Sequence, residues 1–131
     1  MKNEYIGTHE EWLRLANMDL ITARRIYELH RPMPIEIICF HAQQASEKAM
    51  KGFLVSNGVL PPKTHDLTKL LKMCIEYEDG LVKFFREADA LTLYGVLPRY
   101  PTEFELVESD SEIALGYAEK IMEYINGLLL S

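Results

Sequence analysis

Residues 35–56 read Ile35-Glu36-Ile37-Ile38-Cys39-Phe40-His41-Ala42-Gln43-Gln44-Ala45-Ser46-Glu47-Lys48-Ala49-Met50-Lys51-Gly52-Phe53-Leu54-Val55-Ser56, and Asn57-Gly58 follows them. Apolar side chains recur here every three or four places, and Asn-Gly is a stop signal because these residues accept the turn that ends a helix. The stretch predicts one helix from Ile35 to Ser56. Its polar residues are the unusual part. His41, Gln44 and Lys48 follow i, i+3, i+7 spacing and share a face, flanked by the small residues Ala45 and Ala49. Gln43, Glu47 and Lys51 make a second row, with Glu47 and Lys51 at the i, i+4 spacing that favours an ion pair. Small residues beside polar ones let another helix or another subunit approach closely. A packed polar seam and a ligand-contacting face both fit this pattern.

The same period extends in both directions. Thr8 followed by Glu11 reads as a capping box opening a first helix that runs to about Leu29, with an apolar stripe of Trp12, Ala16, Leu20, Ala23 and Tyr27. His30-Arg31-Pro32-Met33-Pro34 breaks the chain before Ile35. After the loop Leu60-Pro61-Pro62-Lys63, Thr64 is expected to cap a third helix carrying Leu67, Leu70, Leu71, Cys74 and Ile75, with Asp66 in its first turn. Asp79-Gly80 ends that helix and starts a fourth with Leu81, Phe84, Phe85, Ala88, Leu91 and Thr92 on one side. Gly95 and Leu97-Pro98-Arg99-Tyr100-Pro101 form the next break. Ser109 and Glu112 repeat the capping-box spacing ahead of a last helix whose stripe includes Ala114, Ala118, Ile121, Met122 and Ile125. No alternating strand pattern of useful length appears. About five helices with short connections predict an all-α, antiparallel up-and-down bundle with a four-helix core, as one domain over residues 1–131.

Composition narrows the function. A chain of 131 residues can bury a real core, and 48% apolar residues with 26% charged is ordinary for a soluble globule. No apolar run approaches the roughly 20 residues of a spanning helix, and the first residues carry no signal-peptide pattern, so a cytoplasmic protein without membrane attachment is expected. Net charge of −6 argues against non-specific nucleic-acid binding through bulk charge. Arg14, Arg24, Arg25 and Arg31 nevertheless fall in one early stretch, compatible with one face meeting phosphate or with a solvated helix face. Cys39 and Cys74 stand apart inside apolar patterns and read as buried free thiols; no Cys/His cluster accompanies them, so neither metal nor cofactor is predicted.

Polar residues out of pattern are the candidates for function. Asp19 lies seven residues after Trp12 and four before Ala23, on the apolar face of the first helix, where a carboxylate is costly unless a charge or donor meets it. It reads as a partner for the polar face of the second helix or as a chemical group. His65 and Asp66 are adjacent and point about 100° apart on a helix, so they do not bond each other, which leaves His65 as a contact residue. Arg99 is presented by the Tyr100-Pro101 that follows it, which suits phosphate or carboxylate recognition. No P-loop, nucleophile elbow, dinucleotide fingerprint or zinc-binding helix motif is present.

Four segments together resemble the HEPN family. They are Trp12 with Ala16 and Asp19-Leu20, the run from Phe40 to Lys51, Thr64-His65-Asp66-Leu67, and Tyr94 followed by Arg99-Tyr100-Pro101. The resemblance implies a helical bundle that forms homodimers. It also implies a nucleotide- or RNA-binding and protein-interaction module, partnered with a minimal nucleotidyltransferase in a toxin–antitoxin-like pair. Asp19, His41, Gln44, Lys48, His65, Arg99 and Tyr100 are the expected ligand-contacting residues. Many members are metal-independent endoribonucleases that place a histidine four to six residues after an arginine. Here Thr102-Glu103-Phe104-Glu105 follow Arg99-Tyr100-Pro101, and no histidine lies downstream. Arg25 and His30 match the spacing only at the end of the first helix. A non-catalytic member is therefore the reading the resemblance favours. A ribonuclease using Arg99 with His41 or His65 is the alternative.

Overall fold

The computed structural model describes residues 7–95 and 105–130. These form five α-helices: α1 (His9–Leu29), α2 (Ile35–Ser56), α3 (Leu67–Ile75), α4 (Phe85–Tyr94) and α5 (Glu108–Leu130), with a 3-10 turn over Asp79–Phe84 between α3 and α4. No strand occurs among the described residues. The bundle is all-α, in agreement with the hydrophobic period.

Helix α2 is the axis of the bundle, in contact with α1, α3, α4 and α5. Its buried residues go all the way round, which explains why its apolar stripe is hard to separate from its polar one: Ile38, Cys39, Ala42, Ala45, Ala49, Met50 and Leu54 are fully buried, and so are Gln43 and Ser46. Leu67, Leu70 and Leu71 of α3, Leu81, Leu91 of α4, and Leu115, Ile121 and Ile125 of α5 close the core around it. Cys39 and Cys74 are free and buried, and burial pushes both thiols up to about 12, so both are neutral thiols at neutral pH.

The helix ends follow local chemistry, with two corrections. The Thr8 hydroxyl accepts from the Glu11 amide at 3.2 Å, as a capping box requires. Asn57 ends α2, Gly58 turns with φ +76°, and the Gly58 and Val59 amides bond the carbonyls of Val55 and Leu54, a Schellman arrangement. The cap of α3, however, is Asp66 and not Thr64: the Asp66 carboxylate accepts from the amides of Thr68 and Lys69. The Leu67 amide is taken by the Thr92 hydroxyl at 3.1 Å, which holds the helix start against α4 and makes Asp66 the last non-helical residue. Likewise α5 begins at Glu108, so Ser109 lies within the helix, and Asp110 reaches back to accept from the Val107 amide at 2.7 Å.

Glycine at position 52 sets how closely α1 lies on α2. A Cβ there would stand 2.9 Å from the Trp12 Cβ and 3.5 Å from the His9 carbonyl. Neither neighbour is the far end of a flexible side chain, so the helices would have to separate. Gly52→Ala is expected to destabilise the fold by roughly 1–3 kcal/mol despite its better helix propensity, seen as a lower thermal midpoint in far-UV circular dichroism. An unchanged or raised midpoint would contradict the close approach.

Candidate functional site

Close approach of α1 and α2 puts Asp19 opposite the middle of α2. There it takes two donors: His41 Nδ1 lies 2.9 Å from Oδ1, and Lys48 Nζ lies 2.5 Å from Oδ2. Since a carboxylate only accepts, Nδ1 of His41 carries the proton of that bond. The ring is held in place by this contact and by an edge-to-face contact with Phe40 at 5.6 Å, so Nε2 is directed away from Asp19. Burial would raise the Asp19 carboxyl, but the hydrogen bonds from His41 and Lys48, together with their charges, outweigh it and hold the group below the usual carboxylate range. The side chain of Asp19 is 14% exposed, against 28% for His41 and 25% for Lys48, so the anion sits beneath its donors.

A second cluster repeats the pattern one helical row away. Glu47, 5% exposed, accepts from Lys51 Nζ at 3.0 Å and His65 Nδ1 at 2.7 Å. The fully buried Gln43 donates to the same carboxylate at 3.3 Å and to the His65 carbonyl at 3.1 Å. These bonds fasten the loop before α3 onto α2. His65 is 54% exposed and forms the outer edge of the cluster. Lys51 also lies 6.0 Å from the Trp12 ring centroid. Gln44, of the first row, donates to the Gln43 side-chain oxygen at 2.8 Å. The outcome is a polar seam in which each of two inner carboxylates holds one histidine and one lysine.

Most of the predicted site residues therefore come together: Asp19, His41 and Lys48 in one cluster, His65 in the other, and Gln44 of the first row bonded to Gln43. Sequence spacing marks Glu47, Gln43 and Lys51 only as a polar row. Their place beneath His65 depends on a contact across 18 residues that helical spacing does not reveal. Arg99 and Tyr100 lie outside the described residues. Gly95, four residues before Arg99, lies against the Gln43 side chain. The early arginines do not make one basic face. Arg24 pairs with Glu119 of α5 at 2.5 Å, Arg31 bonds the carbonyls of Tyr27 and His30, and Arg14 lies against the Met18 sulfur. Arg25 and His30 are exposed near the end of α1, and neither is bonded to the seam.

The family model for the HEPN domain matches residues 9–128. The chain belongs to the HEPN domain family. A curated relative, the candidate toxin MJ1304 of Methanocaldococcus jannaschii, is 25% identical, with 90% of this chain and 86% of the relative covered. Among solved structures, TT1696 from Thermus thermophilus superimposes with a TM-score of 0.80 at 27% identity, covering 91% of this chain and 96% of the other. ST0689, an archaeal HEPN homologue, superimposes with a TM-score of 0.74 at 25% identity, covering 93% and 98%. In this HEPN domain, three of the four segments that carry the sequence likeness converge on the seam: Asp19 from α1, the polar rows of α2, and His65 before α3.

Among the described residues, no group of three or more His, Cys, Asp or Glu side chains could hold a metal ion, and no helix is long and apolar enough to cross a membrane. The seam's chemistry is that of hydrogen-bond donors set over anions. Its cohesion is open to a pH test. Asp19 has a lowered pKa in the folded protein, so its contribution is fully present above the unfolded value of about 3.9 and is lost as pH falls through the lower folded value. Asp19→Asn is expected to be less stable than the parent in urea denaturation at pH 7. The gap should shrink as pH falls below about 4, where the unfolded carboxyl begins to take up its proton, and close below the lowered folded value. A gap that stays constant down to about pH 2 would mean that Asp19 is not held by charge.

Proposed function

We propose that this HEPN domain is a toxin-like, homodimeric interaction module. It contacts a nucleotide or RNA through the polar seam and works with a minimal nucleotidyltransferase as partner in a toxin–antitoxin-like pair. One observation carries the reading: both carboxylates of the seam are inside, and the donors they hold are further out. Lys48 thus keeps ammonium N–H groups, and His41 and His65 keep their second ring nitrogen, beyond the bonds to the carboxylates and at fixed positions, which is what a ligand needs and what a purely structural ion pair does not require. Membership of the family and the likeness to a candidate toxin support the same reading. With a net charge of −6, affinity has to come from this local set and not from the surface as a whole.

Fluorescence anisotropy with a labelled single-stranded RNA and with nucleoside triphosphates is the direct test. Loss of one charge-assisted hydrogen bond costs about 1.5–3 kcal/mol, so Lys48→Ala and His41→Ala are each expected to weaken binding by about tenfold or more. Binding that neither substitution alters would remove the seam from the ligand site. Co-expression with a minimal nucleotidyltransferase encoded beside this chain is expected to yield a stable complex, and its absence on size-exclusion chromatography would count against the partnership.

A second reading is favoured by the histidines. Each has Nδ1 fixed on a carboxylate, so each keeps Nε2 for proton transfer, the arrangement by which an acid/base histidine is oriented. In this reading the protein is a metal-independent endoribonuclease using Arg99 with His41 or His65. RNA cleavage in the presence of a chelator, lost in Arg99→Ala and in one histidine variant, is the expected result. Cleavage that survives replacement of both histidines would exclude this mechanism.

A further inference from the structure

A cavity of about 720 Å³ lies between α5 and the 3-10 turn that leads into α4. Lys83, Phe84 and Glu87 line one side; Glu123, Tyr124 and Leu128 line the other. None of these belongs to the seam, and the volume is that of a small-molecule site. Gly127 completes the wall, and a Cβ there would meet nothing within 4 Å, so the space continues over it.

Glu87 is the exception among the inner carboxylates. Asp19 and Glu47 each hold a lysine and a histidine. Oε1 of Glu87, by contrast, is shut off from solvent and has no hydrogen-bond partner among the described residues. A carboxylate oxygen left without a donor is costly. The obvious donor is Lys83, at the i, i+4 spacing of a helical ion pair. It is engaged elsewhere: its ammonium lies 4.4 Å from the centroid of the Tyr124 ring and 5.4 Å from that of Phe84. Tyr124 is itself fixed, its hydroxyl donating to Glu78 at 2.7 Å and its ring meeting Phe84 edge-to-face at 5.5 Å. Glycine at position 80 makes room for that hydroxyl, with which a Cβ would collide. The two rings thus hold Lys83 away from Glu87.

Charge decides what kind of molecule this cavity suits. Glu78, Glu87 and Glu123 set three carboxylates around it against the ammonium groups of Lys83 and Lys120. An anion would meet carboxylates, with Lys83 already occupied; a cation carrying N–H groups supplies the donor that Glu87 lacks. Phe84 and Leu128 offer apolar surface to methylene groups, and Glu123, exposed at the rim, offers a second carboxylate. We propose that this cavity binds a linear aliphatic amine, with one ammonium group on Glu87 and, in a diamine, the other toward Glu123. Rotation of the Glu87 carboxyl about its last bond turns Oε1 to a donor entering the cavity. The site shares no residue with the seam and is independent of the function read there.

Isothermal titration calorimetry of the full chain with putrescine and with butylamine, at physiological ionic strength, tests this. Saturable binding to one site is expected, tighter for the diamine. Glu87→Gln keeps the shape and removes the charge, so it is expected to weaken both amines by about tenfold or more. Glu123→Gln should weaken putrescine and leave butylamine unchanged. Without amine, Glu87→Gln should melt at or above the parent temperature, because it removes a charge that has no partner. A lower midpoint would show that Glu87 already has its donor within the protein, and would overturn the proposal. So would the absence of saturable binding, or binding that Glu87→Gln leaves unaltered; in the last case the amine gathers only through the net charge of −6.

Discussion

Burying a carboxylate on the central helix of a bundle is the constraint on which the rest of this structure depends. Glu47 is almost completely enclosed, and an unpaired charge there would cost several kcal/mol. Three donors remove that cost, from Gln43, Lys51 and His65, and only the last comes from outside α2. The loop before α3 must therefore lie where His65 can reach Glu47, and the Gln43 amide bonded to the His65 carbonyl leaves little freedom in its path. Asp19 does the same for α1, tying it to two positions of α2 a little under two turns apart.

These ties matter because much of the apolar contact around α2 is made by small side chains. Ala16 and Ala23 of α1 face a helix carrying Ala42, Ala45 and Ala49, all fully buried. Alanine surfaces are smooth and accept several registers at similar energy, whereas an ion pair with a defined hydrogen bond accepts one. The large residues elsewhere, Leu67, Leu71, Leu115 and Ile121 among them, supply most of the area removed from water. Bulk burial thus drives collapse, and the polar seam selects which collapsed arrangement is native. A seam that fixes register also holds its histidines and lysines still, so the same bonds that specify the fold preorganise the surface.

How much of this can be read from the sequence follows from the range of each interaction. The Thr8–Glu11 cap, the Asn57-Gly58 stop and the Glu47–Lys51 pair are contacts over five residues or fewer, and spacing alone reveals them. Asp19 is legible as an intruder because it breaks an apolar stripe, although its partners follow only once α1 and α2 are packed. Thr64 and Asp66 are both good caps in isolation. What decides between them is the Leu67 amide bonded to Thr92, 25 residues away. Glu47 escapes notice for a related reason: its local pairing with Lys51 looks complete, so nothing in the sequence asks for His65. Helical phase likewise turns Arg24 toward α5, while Arg31, past the end of α1, bonds back to its last carbonyls, although all four early arginines are near in sequence.

The two clusters are alike in chemistry but differ in exposure, and that difference bears on how the seam is used. His41 and Lys48 are each about one-quarter exposed over Asp19, so both are reachable there from one side. His65 is more than half exposed over Glu47, while Lys51 remains buried beneath, so only the histidine is reachable there. On the proposed reading, the first cluster offers an anion two groups and the second offers one. Helix α1 contributes Asp19 to the seam on one side and carries the exposed Met18 and Ile21 on another.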